Sequence, residues 1–155
     1  MEIYLFKHPR LKLALHWDGS YATLIQLNPD KNNAYSLHPP RQVISFFNQM
    51  TNYLDGNNVH FALPLKLENT SEFAKKIFTV LLQTKPGETI SYSQLAKLAG
   101  KPKAARAVGR IVARNRFPVV IPCHRIIGAN GALTGYGGGL ELKKKLLAIE
   151  KDMAK

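Results

Sequence analysis

The chain has 155 residues, 45% of them apolar, and a formal net charge of +12 at pH 7. This length suits one compact domain or two small ones that need neither disulfides nor a metal to fold. No apolar run reaches the ~20 residues of a membrane-spanning helix, and the N-terminus lacks the pattern of a signal peptide. We therefore expect a cytoplasmic protein, nucleoid-associated in a prokaryote or nuclear in a eukaryote, without cofactor or metal.

The positive charge is concentrated in the second half of the chain. Residues 1–69 carry 6 Lys/Arg and 5 Asp/Glu, a net of +1, whereas residues 70–155 carry 16 Lys/Arg and 5 Asp/Glu, a net of +11. A basic domain of this kind usually binds a polyanion, because each neutralised phosphate releases condensed counterions. The simpler alternative is a protein that is merely cationic. The asymmetry favours nucleic acid as the partner of the second half.

Residues 1–68 are predicted to form a small α+β domain. Three apolar-rich stretches predict strands at Ile3–Phe6, Leu11–His16 and Tyr21–Leu27, and Asp18-Gly19 predicts a hairpin turn between the last two. One amphipathic helix ending at Asp55-Gly56 is predicted by apolar residues at helical spacing, namely Val43, Phe46, Phe47, Met50 and Leu54. An extended connector follows over residues 57–69. The domain contains no cluster of side chains suited to catalysis, so we expect it to support the second domain.

Residues 69–155 are predicted to form a mainly helical, winged helix-turn-helix-like domain. Thr70 is the expected N-cap of its first helix. The apolar face of that helix is expected to hold Phe73, Ile77, Val80 and Leu81. A short helix at Ser93–Leu98 and a second from about Ala104 to Arg114 are joined by a tight turn, which is typical of a helix-turn-helix.

The end of the chain combines a glycine-rich loop with a last helix. The loop covers Gly128–Gly139, and the helix is expected from about Leu140 to Met153. On that helix we expect four apolar side chains to point inward, namely Leu142, Leu146, Leu147 and Ile149. Four lysines are expected to point outward, namely Lys143, Lys144, Lys145 and Lys151.

Cys123 is the one cysteine of the chain, so no intramolecular disulfide can form. A thiol reacts as its thiolate, and the adjacent His124 and Arg125 favour that form. Glu150 falls on the apolar side of the last helix, where a carboxylate is costly unless it has a partner. A histidine oriented by a carboxylate is a common base for a thiol. An inert buried cysteine and a surface Glu150 near the helix end remain the alternative interpretation.

The segment Ile121–Ile127, with the sequence IPCHRII, resembles the active-site signature of the O6-alkylguanine-DNA alkyltransferases. Gly87–Tyr92 is similar to that family's lead into its helix-turn-helix, and Ala104–Gly109 is similar to its recognition helix. Tyr136–Leu140 is similar to its lesion-pocket loop, and Leu146–Glu150 to its final helix. The resemblance covers nearly all of residues 70–155, whereas residues 1–69 match only in size and character.

The resemblance implies a DNA repair protein that acts once. It would flip O6-alkylguanine out of duplex DNA and transfer the alkyl group irreversibly to Cys123. His124 would act on the thiol through a water, and Glu150 would orient His124. Asn115, eight residues before the cysteine, would hold the backbone of the active-site turn. Tyr92 would contact the phosphate beside the flipped nucleotide and donate to the guanine as it leaves.

The resemblance also implies which residues meet the DNA and the lesion. Arg106 would fill the gap left by the flipped base, on a helix whose small residues permit a close minor-groove approach. The residues expected at the DNA are Arg106, Ala105, Ala107, Gly109, Tyr92 and Arg125. Those expected to line the pocket are Tyr136, Gly137, Gly138, Val112 and Pro118. Gly137 stands where many members have serine, which removes one possible hydrogen bond to the lesion.

Two other functions are compatible with parts of the pattern. A non-catalytic winged-helix DNA-binding protein would explain the helix-turn-helix and the charge. A cysteine hydrolase would use Cys123, His124 and Glu150. The protein's mass after incubation with alkylated DNA separates the three, because a regulator gains no alkyl group and a hydrolase turns over repeatedly. We expect a monomer that binds duplex DNA carrying O6-alkylguanine and no membrane.

Overall fold

The computed structural model describes residues 1–155, which divide into two compact units, 1–67 and 68–155. The first unit contains a three-stranded antiparallel sheet and one long helix, and the second is mainly helical. The predicted α+β class is therefore confirmed. None of the helices combines the length and the apolar character that crossing a membrane requires.

The sheet of the first unit follows the chain order. Its strands are β1 (Glu2–His8), β2 (Leu11–Trp17) and β3 (Ala22–Leu27), each antiparallel to the next. The hairpin between β2 and β3 is held by Asp18, whose carboxylate accepts hydrogen bonds from the backbone N–H groups of Ser20 and Tyr21 at 2.9 and 2.7 Å. The predicted strands and turn are confirmed to within two residues.

Helix α1 (Arg41–Leu54) completes the core of the first unit. Val43, Phe46, Met50 and Leu54 are buried as predicted, and Phe47 is half-buried with its ring 5.3 Å from that of Phe6. The predicted extended connector is present, and its residue Leu65 forms a parallel bridge with Ala22 of β3. These apolar contacts place the core between the helix and the sheet.

The second unit begins with α2 (Glu72–Gln83), and Ser71 is its N-cap. The Ser71 hydroxyl accepts a hydrogen bond from the N–H of Ala74 at 3.1 Å. The prediction of Thr70 as the cap is wrong, because the helix begins one residue later than that cap requires. The buried face also differs from the predicted one: Ala74 and Phe78 join Ile77 and Leu81, while Phe73 and Val80 are half-buried.

The predicted helix-turn-helix consists of α3 (Tyr92–Leu98) and α4 (Ala105–Ala113). Helix α3 begins with a capping box. The Ser91 hydroxyl accepts from the N–H of Gln94 at 3.1 Å, and the Gln94 side chain accepts from the N–H of Ser91 at 2.9 Å. This double cap fixes Tyr92 as the first residue of α3.

A short parallel pairing brings the two halves of the site together. Strand β4 (Ile90–Ser91) pairs with β5 (Ile126–Ile127), with Ile90 opposite Ile126. A single-turn 3-10 helix, Cys123–Arg125, immediately precedes β5. The pairing therefore places the cysteine-bearing turn next to the start of α3.

The last helix, α5 (Leu140–Met153), begins and ends where the sequence predicts. Leu142, Leu146 and Ile149 are buried as expected, and Leu147 is half-buried. The prediction that Lys143 points outward is wrong: the side chain is 1% exposed and its ammonium bonds to backbone and side-chain oxygens. The other three lysines are exposed.

Candidate active site

The turn that leads into Cys123 is held by Asn115. The Asn115 amide donates to the carbonyl of Ile121 at 3.0 Å, and its oxygen accepts from the N–H of Phe117 at 2.9 Å. Within this turn Val119 has a φ of 73°, which is strained for a β-branched residue. Burial of Phe117 and Ile121 offsets such strain, so the turn has one defined shape.

Cys123 is partly exposed at the first position of the 3-10 helix. Burial raises the pKa of its thiol above the ordinary value, while a hydrogen bond from the Asn115 side chain and the charge of Lys143 act in the opposite direction. The thiol is therefore protonated at neutral pH. A group that removes this proton is needed before the sulfur can act as a nucleophile.

His124, the residue after Cys123, forms a buried pair with Glu150. His124 Nε2 lies 2.7 Å from Glu150 Oε2, and both side chains are fully buried. Burial alone would raise the pKa of Glu150, but hydrogen bonds from His124 and Arg125 outweigh it and lower the pKa from 4.5 to about 2. Burial also lowers the pKa of His124. The pair is thus an ionised carboxylate and a neutral imidazole whose Nε2 holds the proton, which leaves Nδ1 as the basic nitrogen.

Arg125 completes the buried cluster and is not available to DNA. Its Nε donates to Glu150 Oε1 at 2.8 Å and its Nη2 to Oε2 at 3.0 Å, while Nη1 donates to the carbonyl of Thr84 at 2.7 Å. The expectation that Arg125 contacts DNA is wrong, because these partners occupy the donors of its guanidinium and the residue is buried. Its role is to neutralise and fix Glu150.

Tyr136 brings an unsatisfied hydroxyl to the same place. Its ring packs edge-on against His124 with centroids 6.5 Å apart. The hydroxyl is buried and has no hydrogen-bond partner, and burial raises its pKa well above the ordinary value. A buried donor without a partner is costly, so this atom suits a polar atom of a bound ligand. On the same loop the neighbouring Gly137 is exposed and Gly138 is half-buried.

Tyr92 lies between α4 and the glycine-rich loop. A Cβ atom at Gly109 would be 3.8 Å from the Tyr92 ring, so the ring packs against the backbone of α4. Its hydroxyl is 2.9 Å from Thr134 Oγ1. Val112 on α4 and Pro118 in the turn are both half-buried, as pocket-lining residues would be.

Helix α4 presents a basic face. Val108 is its one fully buried residue, and Ala105, Ala107 and Gly109 are half-buried. Arg106 and Arg110 are exposed one turn apart. Positions four residues apart share a helix face, so two guanidinium groups project from the same side of α4.

The site therefore unites most of the predicted chemistry. Cys123, His124, Glu150, Asn115 and Tyr136 come together, whereas no group of three or more His, Cys, Asp or Glu side chains is placed to hold a metal. Sequence reasoning missed Thr84, Thr134 and Lys143, whose partners are distant along the chain. For Lys143 the one available signal was its position in the helix, next to the inward-facing Leu142, which indicates that its side chain lies near the buried face.

Comparison with known proteins agrees with this arrangement. Residues 72–152 match the family profile described as 6-O-methylguanine DNA methyltransferase, DNA binding domain. The methylated-DNA–protein-cysteine methyltransferase of Mycolicibacterium paratuberculosis is 44% identical over 112 residues, which are 72% of this chain and 67% of that protein. The protein of the same name from Methanosarcina acetivorans is 45% identical over 102 residues, 66% of this chain and 65% of that protein.

A solved structure extends the similarity to the first unit. The crystal structure of Mycobacterium tuberculosis OGT in complex with DNA superposes with a TM-score of 0.83 and 33% identity, covering 99% of this chain and 94% of that chain. The sequence alignments span about two thirds of the two relatives' own length. Together the profile, the relatives and the superposition show that this chain belongs to the 6-O-methylguanine DNA methyltransferase family.

Proposed function

We propose that this protein repairs O6-alkylguanine, such as O6-methylguanine, in duplex DNA by transferring the alkyl group to its own Cys123. The observation that carries the proposal is the buried His124–Glu150 pair, whose histidine immediately follows the one cysteine in the chain. The names of the relatives, methylated-DNA–protein-cysteine methyltransferases, and the DNA-bound structure of one neighbour support it. It would then act in the cytoplasm at the nucleoid of a prokaryote, or in the nucleus of a eukaryote.

The chemistry begins with the thiol. His124 Nδ1, through a water, takes the proton of Cys123, and the ionised Glu150 stabilises the imidazolium that results. The thiolate attacks the alkyl carbon, so that an S–C bond forms and the C–O6 bond breaks. The electron pair stays on the guanine, which accepts a hydrogen bond from Tyr92 and takes up one proton from solvent, while the imidazolium returns the thiol's proton to solvent. The thioether resists hydrolysis, so each molecule acts once.

The lesion must leave the base stack to reach Cys123. Stacking shields the O6 substituent, and extrusion of a base costs a few kcal/mol, less for a badly paired one. In the pocket, the unsatisfied hydroxyl of Tyr136 supplies a hydrogen bond to the purine. The backbone of the exposed Gly137 and the half-buried Gly138 supplies further ones. Val112 and Pro118 form the apolar wall.

DNA binding is assigned to α4 and its basic face. The small side chains of Ala105, Ala107 and Gly109 let the helix lie close to the minor groove, and Arg106 extends into the stack where the flipped guanine has left. Tyr92 contacts the phosphate next to the flipped nucleotide. Residues 69–155 thus bind DNA and transfer the alkyl group, and residues 1–68 support them, in a protein that acts as a monomer.

The test is the stoichiometry of repair. Wild-type protein is mixed with excess duplex oligonucleotide containing O6-methylguanine, and the remaining lesion is followed with time. We expect the reaction to stop when one lesion has been repaired per protein, and Cys123→Ser to bind the duplex without repairing it. Repeated turnover would indicate a hydrolase, and binding without any loss of lesion would indicate a non-catalytic DNA-binding protein.

A further inference from the structure

Lys143 is a buried cation whose partners are all uncharged oxygens. Its Nζ lies 2.5 Å from the carbonyl of Ile126, 3.3 Å from the carbonyl of Thr134 and 3.4 Å from Thr134 Oγ1. Burying an ammonium is costly unless its donors are satisfied. Three acceptors match the three N–H groups of Lys143, so the side chain ties β5 to the glycine-rich loop.

Thr134 lies between this ammonium and the hydroxyl of Tyr92. An ammonium can only donate, so Thr134 Oγ1 is the acceptor of the bond from Lys143. Oγ1 keeps a second lone pair, but a hydroxyl that accepts from an ammonium becomes a better donor and a poorer acceptor, which favours donation from Thr134 to the Tyr92 oxygen 2.9 Å away. When Thr134 donates to that oxygen, the proton of Tyr92 is left free to point elsewhere.

We propose that Thr134 is a positioning residue for Tyr92, and that Lys143 sets the direction of the hydrogen bond between them. The inference rests on the proposed function, in which Tyr92 donates to the departing guanine. While the S–C bond forms and the C–O6 bond breaks, the guanine takes the electron pair and strengthens its hydrogen bond with Tyr92. The Thr134 O–H then stabilises the negative charge that this bond draws onto the Tyr92 oxygen, since linked hydrogen bonds polarise one another.

Lys143 is linked both to the turn that contains Cys123 and to the start of α3, where Tyr92 lies. The carbonyl of Ile126 follows the 3-10 helix that contains Cys123, and Ile126 is paired with Ile90, two residues before Tyr92. Loss of Lys143 would therefore disturb the thiol and the tyrosine together. Thr134 gives the sharper test, because its hydroxyl can be removed without touching that pairing.

The experiment compares Thr134→Val, which replaces the hydroxyl with a methyl group of similar shape, with Thr134→Ser, which keeps a hydroxyl. We expect Thr134→Val to slow single-turnover repair of O6-methylguanine in duplex DNA by about 10-fold, which corresponds to the loss of one transition-state hydrogen bond of about 1.4 kcal/mol. Thr134→Ser should stay within about 2-fold of wild type. Thr134→Ala provides the same loss of hydroxyl should the valine disturb folding.

Two further readouts separate positioning from a structural role. Alkylation of Cys123 by iodoacetamide expels iodide, which needs no hydrogen bond from Tyr92, so Thr134→Val should leave its rate unchanged. In a double-mutant cycle, adding Thr134→Val to Tyr92→Phe should cause no further slowing, because Thr134 acts through the hydroxyl that phenylalanine lacks.

The outcomes distinguish this inference from the proposed function. If wild-type protein repaired no lesion, the proposed function itself would fail. If wild type repaired the lesion, and Thr134→Val and Thr134→Ala both repaired it as fast as wild type, the positioning role would be overturned. Equal slowing of repair and of iodoacetamide alkylation, or additive effects with Tyr92→Phe, would also overturn it.

Discussion

His124 and Glu150 are 26 positions apart in the chain and meet through a 2.7 Å hydrogen bond from Nε2 to Oε2, shielded from solvent. The same carboxylate accepts two hydrogen bonds from Arg125. Glu150 therefore keeps its charge in a buried place and dictates which nitrogen of His124 is protonated. In the proposed mechanism, the basicity of Nδ1, the nitrogen that would take the proton of Cys123, depends on this contact.

Replacing Glu150 with glutamine should slow alkyl transfer. The amide is nearly isosteric but uncharged, so it neither stabilises the imidazolium nor enforces the Nε2 proton. We expect the single-turnover repair rate to fall by roughly 100-fold, the lower end of the range for general-base catalysis. The measurement is the rate of O6-methylguanine loss from a duplex under saturating protein.

Glu141 provides the matched control on the same helix. It lies in the first turn of α5, and its exposed carboxylate pairs only with Lys144 at 3.5 Å. Glu141→Gln removes the same charge and should change the repair rate less than about 2-fold, because surface ion pairs contribute little. If the two variants were equally slow, the charge of the helix and not the contact with His124 would be responsible.

Glu150 also predicts how stability depends on pH. Its pKa in the folded protein is about 2, below the ordinary value of 4.5, so the carboxylate stabilises the fold above pH 4.5 and loses that contribution as pH falls towards 2. The shift corresponds to about 3 kcal/mol. Urea unfolding at several pH values should show a shallower acid loss for Glu150→Gln than for wild type. Parallel curves would mean that other groups govern acid unfolding.

Arg106 and Arg110 allow stack insertion to be separated from phosphate contact. Both are exposed on α4, one turn apart. Arg106→Ala should slow repair in duplex DNA and have a much smaller effect with the free alkylguanine base, because it acts on the extrahelical state. Arg110→Ala should mainly weaken binding, about equally on damaged and undamaged duplex. If Arg106→Ala slowed repair equally with duplex DNA and with the free base, Arg106 would support the active site and not the extrahelical base.

The dependence of DNA affinity on salt tests the origin of binding. With 16 Lys/Arg in residues 70–155, phosphate contacts should dominate, so affinity should be largely independent of sequence and fall steeply as salt rises. Loss of a single phosphate contact should lower the slope of log affinity against log salt by about one. A flat plot, obtained by titrating duplex DNA at several salt concentrations, would exclude phosphate contacts as the main source.

The features that could be predicted from the sequence are those that depend on residues close together in the chain. Period-two and period-3.6 apolar spacing gave the strands and helices, and the residues around Cys123 indicated the chemistry. The errors concern partners that are distant in sequence. Arg125 was expected at the DNA because it follows the motif, but Glu150 and the carbonyl of Thr84 bury it. Lys143 stands in a run of three lysines, and only the fold shows that carbonyls from β5 and the loop surround its ammonium.

Transfer of the alkyl group to Cys123 is tested most directly by locating that group in the protein. Protein that has reacted with duplex DNA containing O6-methylguanine is digested, and its peptides are analysed by tandem mass spectrometry. We predict one methyl group per protein, attached to Cys123 and to no other residue, while undamaged DNA adds none. A methyl group on a different residue, or a protein of unchanged mass after the lesion has been repaired, would contradict it.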